Sequence, residues 1–390
     1  MNRPEGRARR RRQKGLAAAL VIMCCAGLLA GCADVNDINR RILVSGLGLD
    51  VGPEDGQVAV TMVFFANETS SRAGGAGGAG GGGGGGVTQL TPVVVSATGP
   101  TVSGALGNIS RQLPGQIFLG STTMLLIGSE LAQQGLYRVL NYLSRHPHVS
   151  AYVETVVVDG RVSDVLQGTV LAASAPGVHL SKALTAGTRE EAALNTLPFY
   201  RLMDLVHTPW EFEWTALVAP GPIGPEIKGL ALFQGDKLVR TIDSEQAHFI
   251  APIRSSGATH IIVPPLPGFD DPMTIRFRSI RIRTGRYNPG QTTVRVTIEG
   301  QAYLAEGVDY TFAPPMGPRL RAHVEAYLAQ RLENVLTELY ADGIDVLDLG
   351  QQARAHNPSG RIPDGWLAML PQLTFTVKTK INFLQGLRGS

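Results

Sequence analysis

Cys32 closes the run Leu28-Leu29-Ala30-Gly31-Cys32, and the two other cysteines, Cys24 and Cys25, lie upstream of it. A thiol in that setting is suited to one reaction: its sulfur takes a diacylglycerol, and a peptidase then cuts between Gly31 and Cys32. The flanks fit that chemistry. Arg3, Arg7, Arg9, Arg10, Arg11, Arg12 and Lys14 form a basic start, followed by an uncharged apolar stretch from Leu16 to Ala30. A basic region, a short apolar region and small residues before the cut describe a secretory signal. Fifteen residues fall short of the ~20 that a transmembrane helix needs. Leu29-Ala30-Gly31-Cys32 resembles a bacterial lipobox, so lipid attachment at Cys32 and cleavage after Gly31 are expected. Two acyl chains on one cysteine give stable anchoring where one is marginal.

Beyond Cys32 the chain holds no further cysteine, which removes intramolecular disulfides, thiolate metal sites and cysteine nucleophiles together. No GxSxG, HExxH, SxxK, P-loop or EF-hand pattern occurs there. His146-Pro147-His148 could begin a metal site, but no third ligand stands near it, and a polar helix terminus explains it as well. Asp342, Asp345 and Asp348 would share a helical face if one helix spanned them; helix-end and capping roles are commoner for aspartates so placed. No catalytic residue, metal or cofactor is therefore expected. The most suggestive set is basic: Arg276, Arg278, Arg281 and Arg283 alternate with Ile275, Phe277, Ile280 and Ile282, the register shifting at Ser279. Arg295, Lys378 and Lys380 could share that outer face. It reads either as a solvated sheet face, whose charges also blunt edge pairing, or as a surface for anionic lipid or an acidic partner. A formal net charge of +3 over 390 residues gives a nucleic-acid role no support.

The elements that must position these residues follow from hydrophobic period. Arg41–Asp50 and Val58–Phe65 predict a β-hairpin around Pro53-Glu54-Asp55-Gly56. Gly74–Gly86 reads as a flexible loop, and its GxGxxG fragments carry no weight because no helix opens after them. A strand at Val93–Ala97, a helix at Thr101–Leu113, a strand at Thr122–Ile127, a helix at Glu130–His146 with Ser129 as cap, and a strand at Tyr152–Val158 follow. Helices are expected at Val162–Leu166 and about His179–Leu194. Residues 198–225, rich in Pro, Gly and Trp and without a period, read as a linker. Beyond it come a hairpin around Gly235-Asp236, a short helix capped by Asp243 or Ser244, and strands at Thr274–Thr284 and Thr292–Leu304. A helix from Arg319 to Tyr340 and a last strand at Leu373–Phe383 complete the chain, giving a helix packed on an antiparallel sheet. The expected class is a multi-domain α+β fold with small mixed or antiparallel sheets: signal 1–31, an N-terminal α/β domain 32–197, the linker, and a C-terminal region 226–390 divisible at 226–270 and 271–390.

Taken in order, these pieces resemble the spore germination lipoproteins, the C subunit of GerA-type germinant receptors (the Ger(x)C family). The resemblance begins at Gly31-Cys32-Ala33-Asp34 and Ile38-Asn39, runs through Val44-Ser45-Gly46-Leu47-Gly48-Leu49-Asp50, and resumes at Ser96-Ala97-Thr98-Gly99-Pro100-Thr101-Val102. It continues in Leu125–Gly135, Leu143-Ser144-Arg145, Ile227–Phe233 with Asp236-Lys237-Leu238, and finally Asp345, Leu349-Gly350, Pro358, Trp366, Pro371 and Gly386. Departures fall at Gly120-Ser121, where the family often carries a histidine, and at His146, where it carries an acid. The resemblance implies three small α/β domains and a non-enzymatic subunit on the outer face of the spore's inner membrane. It implies partners too, a polytopic A subunit and a transporter-like B subunit. A solute-binding lipoprotein of a transporter, which needs two similar lobes around a cleft, and an envelope hydrolase are the competing readings.

Overall fold

The computed structural model describes residues 41–67, 90–167, 196–221, 225–254, 260–262, 264, 273–288, 290–306, 316–357 and 360–384. Gly31, Cys32 and the signal segment, the glycine run 74–86 and the helix expected at 179–194 lie outside the described residues.

Strands β1 (Arg41–Val51) and β2 (Val58–Asn67) form the expected hairpin, in register from Val44↔Phe64 to Val51↔Val58, and β3 (Leu90–Gly99) extends it antiparallel. Short β4 (Gln116–Phe118) pairs with β1. On β1's other side β5 (Met124–Gly128) and then β6 (Glu154–Val158) run parallel to it. β7 (Leu197–Pro198) pairs with β6, β8 (Phe212–Pro220) joins β6 in parallel, and β9 (Pro225–Gln234) and β10 (Lys237–Asp243) complete the order β10-β9-β8-β6-β5-β1-β2-β3. Helices α1 (Val102–Ser110), α2 (Ser129–Gln134), α3 (Tyr137–Arg145) and, after α4 (Val162–Gln167), α5 (Phe199–His207) bury Ile109, Leu136, Leu140 and Leu202 with Leu47, Ile127, Val157 and Phe233 on one face. α4 covers the other face, where Val162, Val165 and Leu166 meet Met124, Leu126, Val156 and Val218.

Two expectations are corrected here. Residues 198–225 are no linker: they supply α5 and β8, and β8 is an interior strand. Eight of its nine residues are buried. A strand covered on both faces shows no polar–apolar alternation, which is why the segment has no readable period. Because β8 pairs β6 and β9, strands from both expected domains share one sheet, and a boundary at 226 would cut through it. The helix expected at 130–146 is likewise two helices. Gly135, at φ 110°, breaks it, and the freed backbone donors of Leu136 and Tyr137 go to the Asp236 carbonyl (3.0 Å) and carboxylate (2.9 Å).

The helix α6 (Ser244–Ile250) starts as read, with the Asp243 carboxylate accepting from Gln246 N at 2.8 Å. A second sheet follows in the order β11 (His260–Ile262), β12 (Thr274–Thr284), β13 (Thr293–Glu306) and β14 (Thr374–Phe383). It is mixed rather than antiparallel: the chain crosses over through α7 (Met316–Ala341), so β14 lies parallel to β13. The predicted stripe of α7 packs inward, Leu320, Val324, Leu328 and Leu336 meeting Ile275, Phe277, Val296, Ile298 and Phe375. α7 ends in a Schellman motif: Ile344 N donates to Leu339 O, Gly343 N to Tyr340 O, and Gly343 takes φ 77°. The helices α8 (Leu349–His356) and α9 (Trp366–Met369) close the same core.

Candidate partner and membrane surface

The strand β12 carries the basic set on its outer side. Ile275, Phe277, Ile280 and Ile282 are buried, while Arg278, Arg281 and Arg283 are exposed and Arg276 is half-buried. The shift in the sequence pattern is a β-bulge: Phe277 faces Ala302 and Ser279 faces Gln301, leaving Arg278 as the extra residue. Such a bulge re-aims side chains without breaking the core face. On the neighbouring strands Arg295, Lys378 and Lys380 are exposed, with the Thr297↔Lys378 and Glu299↔Lys380 pairs setting their rows. Glu299 is the anion among them and reaches Arg283 only loosely, at 3.9 Å.

A second polar assembly, invisible in the sequence, lies where the large sheet meets the C-terminal core. Glu213 on β8 is nearly buried and takes ion pairs from both Arg201 of α5 and Arg254. Arg254 also donates to the Phe212 carbonyl at 2.8 Å, lies 3.4 Å from Asp348, and stacks 4.1 Å from the Trp214 ring centre. Gln351 of α8 donates to Glu211 at 2.6 Å. Burial raises the Asp348 carboxyl to about 6, against the opposing pull of Arg254.

The other chemical candidates resolve into structural roles. Asp342, Asp345 and Asp348 share no helix, because α7 ends at Ala341. Asp342 pairs with Arg240 on the surface. Asp345 is buried, and its oxygens accept from the Tyr340 hydroxyl (2.5 Å), Leu349 N (2.9 Å) and Gly350 N (2.7 Å), so its acceptor capacity is taken up by its own loop. Burial raises its pKa against those hydrogen bonds. His146 caps the end of α3 beside His148, ring centres 5.8 Å apart; burial and the neighbouring imidazole lower its pKa. Gly120 meets this loop, since a Cβ there would stand 3.3 Å from the His148 carbonyl. The two departures from the family pattern are thus neighbours in space. Among the described residues no group of three His, Cys, Asp or Glu is arranged to hold a metal ion, and no helix is long and apolar enough to cross a membrane.

The motif Gly48-Leu49-Asp50 also gains a physical reading. A Cβ at Gly48 would stand 2.3 Å from Val162 Cγ1, so the glycine lets α4 lie on β1. Asp50 then accepts from Val162 N at 2.9 Å, and Gly128 leaves room for its carboxylate, since a Cβ there would fall 1.9 Å from Asp50 Oδ1. Burial raises the Asp50 pKa to about 6, opposed by that hydrogen bond and by Arg161.

Comparison with known proteins matches residues 34–212 to the family model of the spore germination protein N-terminal domain, and residues 228–385 to that of the spore germination B3/GerAC-like C-terminal domain. A curated relative bearing the name spore germination protein YfkR, from Bacillus subtilis (strain 168), is 26% identical over 230 residues, 58% of this chain and 57% of its own length. The chain thus spans little more than half of that relative. The crystal structure of the GerBC protein superposes with a TM-score of 0.55 at 14% identity, over 87% of this chain and 97% of that one, and shares the fold.

Proposed function

The chain belongs to the Ger(x)C family of spore germination proteins, and from that premise we propose that it is a lipid-anchored, non-enzymatic subunit of a nutrient germinant receptor. In this reading the chain is exported, cleaved after Gly31 and held by diacylglyceryl-Cys32 on the outer surface of the spore's inner membrane. It acts by contact with the integral-membrane A and B subunits, and it neither needs a cofactor nor binds nucleic acid.

The observation that carries the reading is the run of the two family models, which starts two residues after Cys32 and takes in nearly all of the chain beyond it. The polar groups singled out above support it. The carboxylates of Asp50, Asp345 and Glu213 accept from neighbouring backbone, tyrosine or arginine donors, an arrangement that positions elements of the fold. The solute-binding reading requires two like lobes, whereas the two sheets here differ in strand number and connection.

Deleting the gene from the spore former that carries it should abolish or slow nutrient-triggered germination while leaving germination by a chemical trigger that bypasses receptors intact. Normal nutrient germination in a strain without a paralogue refutes the receptor role. Co-purification of the A and B subunits with the tagged chain tests the partners directly.

A further inference from the structure

We propose that the outer face of the four-stranded sheet, centred on Arg278, Arg281, Lys378 and Lys380, lies against anionic phospholipid headgroups. The proposal rests on the reading of the chain as a membrane-tethered subunit and assigns the surface that meets the lipid.

The first argument is charge that has no internal use. Among the described residues Arg278, Arg281, Arg295, Lys378 and Lys380 have no ion-pair partner, and Glu299 is the anion set among them. Cations are held on three adjacent strands, ~4.8 Å apart: Arg276 and Arg278, then Arg281 and Arg283 beyond the bulge on β12, Arg295 on β13, and Lys378 and Lys380 on β14, two residues or ~7 Å separating the members of each pair. That is a grid of charge on a sheet surface, able to meet many small anions at once.

The second argument is what the face lacks. Protein interfaces centre on buried aromatic and aliphatic anchors. Among the described residues the exposed large apolar side chains are Leu43, Tyr137, Tyr152, Tyr200, Trp210, Val239 and Leu367, and none of them belongs to β12, β13 or β14. Apart from half-buried Tyr303 beside Arg276 at one end, the face has the charge for an acidic protein partner but not the anchors, whereas a headgroup layer asks only for charge.

The third is local shape. Over the bulge a shallow depression of about 420 Å³ is lined by Ser279, Arg281, Glu299, Gln301, Lys380 and Asn382. Arg281 and Lys380 bring two cations to it, with the Gln301 and Asn382 amides as further donors. A phosphodiester headgroup matches that donor set, and Glu299, in register between Arg281 and Lys380, offsets one of the charges there.

Each basic residue at such a surface is worth about 1 kcal/mol, or roughly fivefold in affinity. The test uses the chain from Ala33 onward, the processed form without its lipid-bearing cysteine, so that neither the acyl chains nor the basic and apolar stretch of residues 3–30 contributes to binding. Co-sedimentation is measured with vesicles of phosphatidylglycerol and phosphatidylcholine, and with phosphatidylcholine alone. The triple variant Arg278→Gln, Arg281→Gln, Lys380→Gln should bind the anionic vesicles about a hundredfold more weakly at low salt, and the double variant Arg295→Gln, Lys378→Gln about twentyfold more weakly. High salt should erase both differences, and unfolding midpoints should match the parent. Equal vesicle binding by the parent and both variants overturns the proposal. So does unchanged vesicle binding accompanied by loss of the A or B subunit in co-purification, which would give the face to a protein. A negative vesicle result alongside a germination defect in the deletion strain sinks the lipid face alone; vesicle binding without that defect sinks the receptor reading alone.

Discussion

Arg254 and Arg240 pose a comparison in which a single variable should decide stability. Both arginines are about a quarter exposed (25% and 27%), and both make two ion pairs. Their partners differ. Arg240 reaches Glu338 and Asp342, each about half exposed, whereas Arg254 reaches Glu213, whose side chain is 8% exposed, and the half-exposed Asp348. Replacing Arg240 by Ala removes two solvent-screened pairs, and we expect a loss of under about 1 kcal/mol. Replacing Arg254 by Ala strips one of two cations from a nearly buried carboxylate. Breaking a buried pair costs about 3–5 kcal/mol, and because Arg201 stays beside Glu213 the loss falls below that range, at about 2. Loss of the Trp214 stacking adds about 1 kcal/mol. The expected total is near 3 kcal/mol, with Arg254→Lys falling between, since an ammonium cannot serve Glu213, the Phe212 carbonyl and the indole face together. Urea unfolding followed by tryptophan fluorescence reads the effect, with Trp214 under the substituted side chain as a local reporter. If the two alanine variants lose stability equally, to within about 0.5 kcal/mol, partner burial is not the controlling quantity and the reasoning fails.

Three further outcomes are expected. Asp50 has a folded-state pKa raised to about 6 from 3.8, so between those values the folded chain binds the proton that the unfolded chain releases; its contribution to stability therefore falls as pH rises from about 4 to 6. Asp50→Asn keeps an acceptor for Val162 N and should flatten that part of the stability–pH curve, and an unchanged slope in denaturant titrations across pH 4–7 would count against the assignment. Gly48→Ala forces a methyl into Val162 and should cost about 1–3 kcal/mol; Val162→Ala in the same chain should recover part of it, whereas strictly additive losses would show that the close approach of α4 to β1 is not the cause. Cys32→Ala in the native host should block lipidation and the cut that follows it, so that the protein migrates as the longer, uncleaved form and nutrient germination falls; a variant shortened like the parent would show that the cut does not depend on Cys32.

How much of this was legible in the sequence depended on what each residue had on its far side. β12 and β14 were readable because one face is wet: alternation of Ile275, Phe277, Ile280 and Ile282 with arginines locates the core and, by the same token, the opposite charged face. The bulge at Arg278 was readable as a break in that alternation. α7 was readable because its stripe is one-sided, and its end because Gly343 supplies a backbone conformation that other residues avoid. β8 was not readable, since burial on both faces leaves composition without period. Gly135 shows a subtler limit. A glycine inside an apolar period costs about 1 kcal/mol and does not by itself end a helix; what ends this one is Asp236, about a hundred residues away, which takes the two backbone donors that a continuous helix would have kept. The Glu213–Arg254 assembly has the same character. Each member, read alone, is a charged residue expected at the surface. Only when β8 is placed inside the sheet does Glu213 become a buried carboxylate that must be matched, and the arginines from α5 and from the turn after α6 then have a reason to be where they are. The basic face of the second sheet is the converse case: its arginines and lysines are visible in the sequence and, Arg283 apart, have no ion-pair partner among the described residues, and charge that the fold does not use internally is what remains available to a surface outside it.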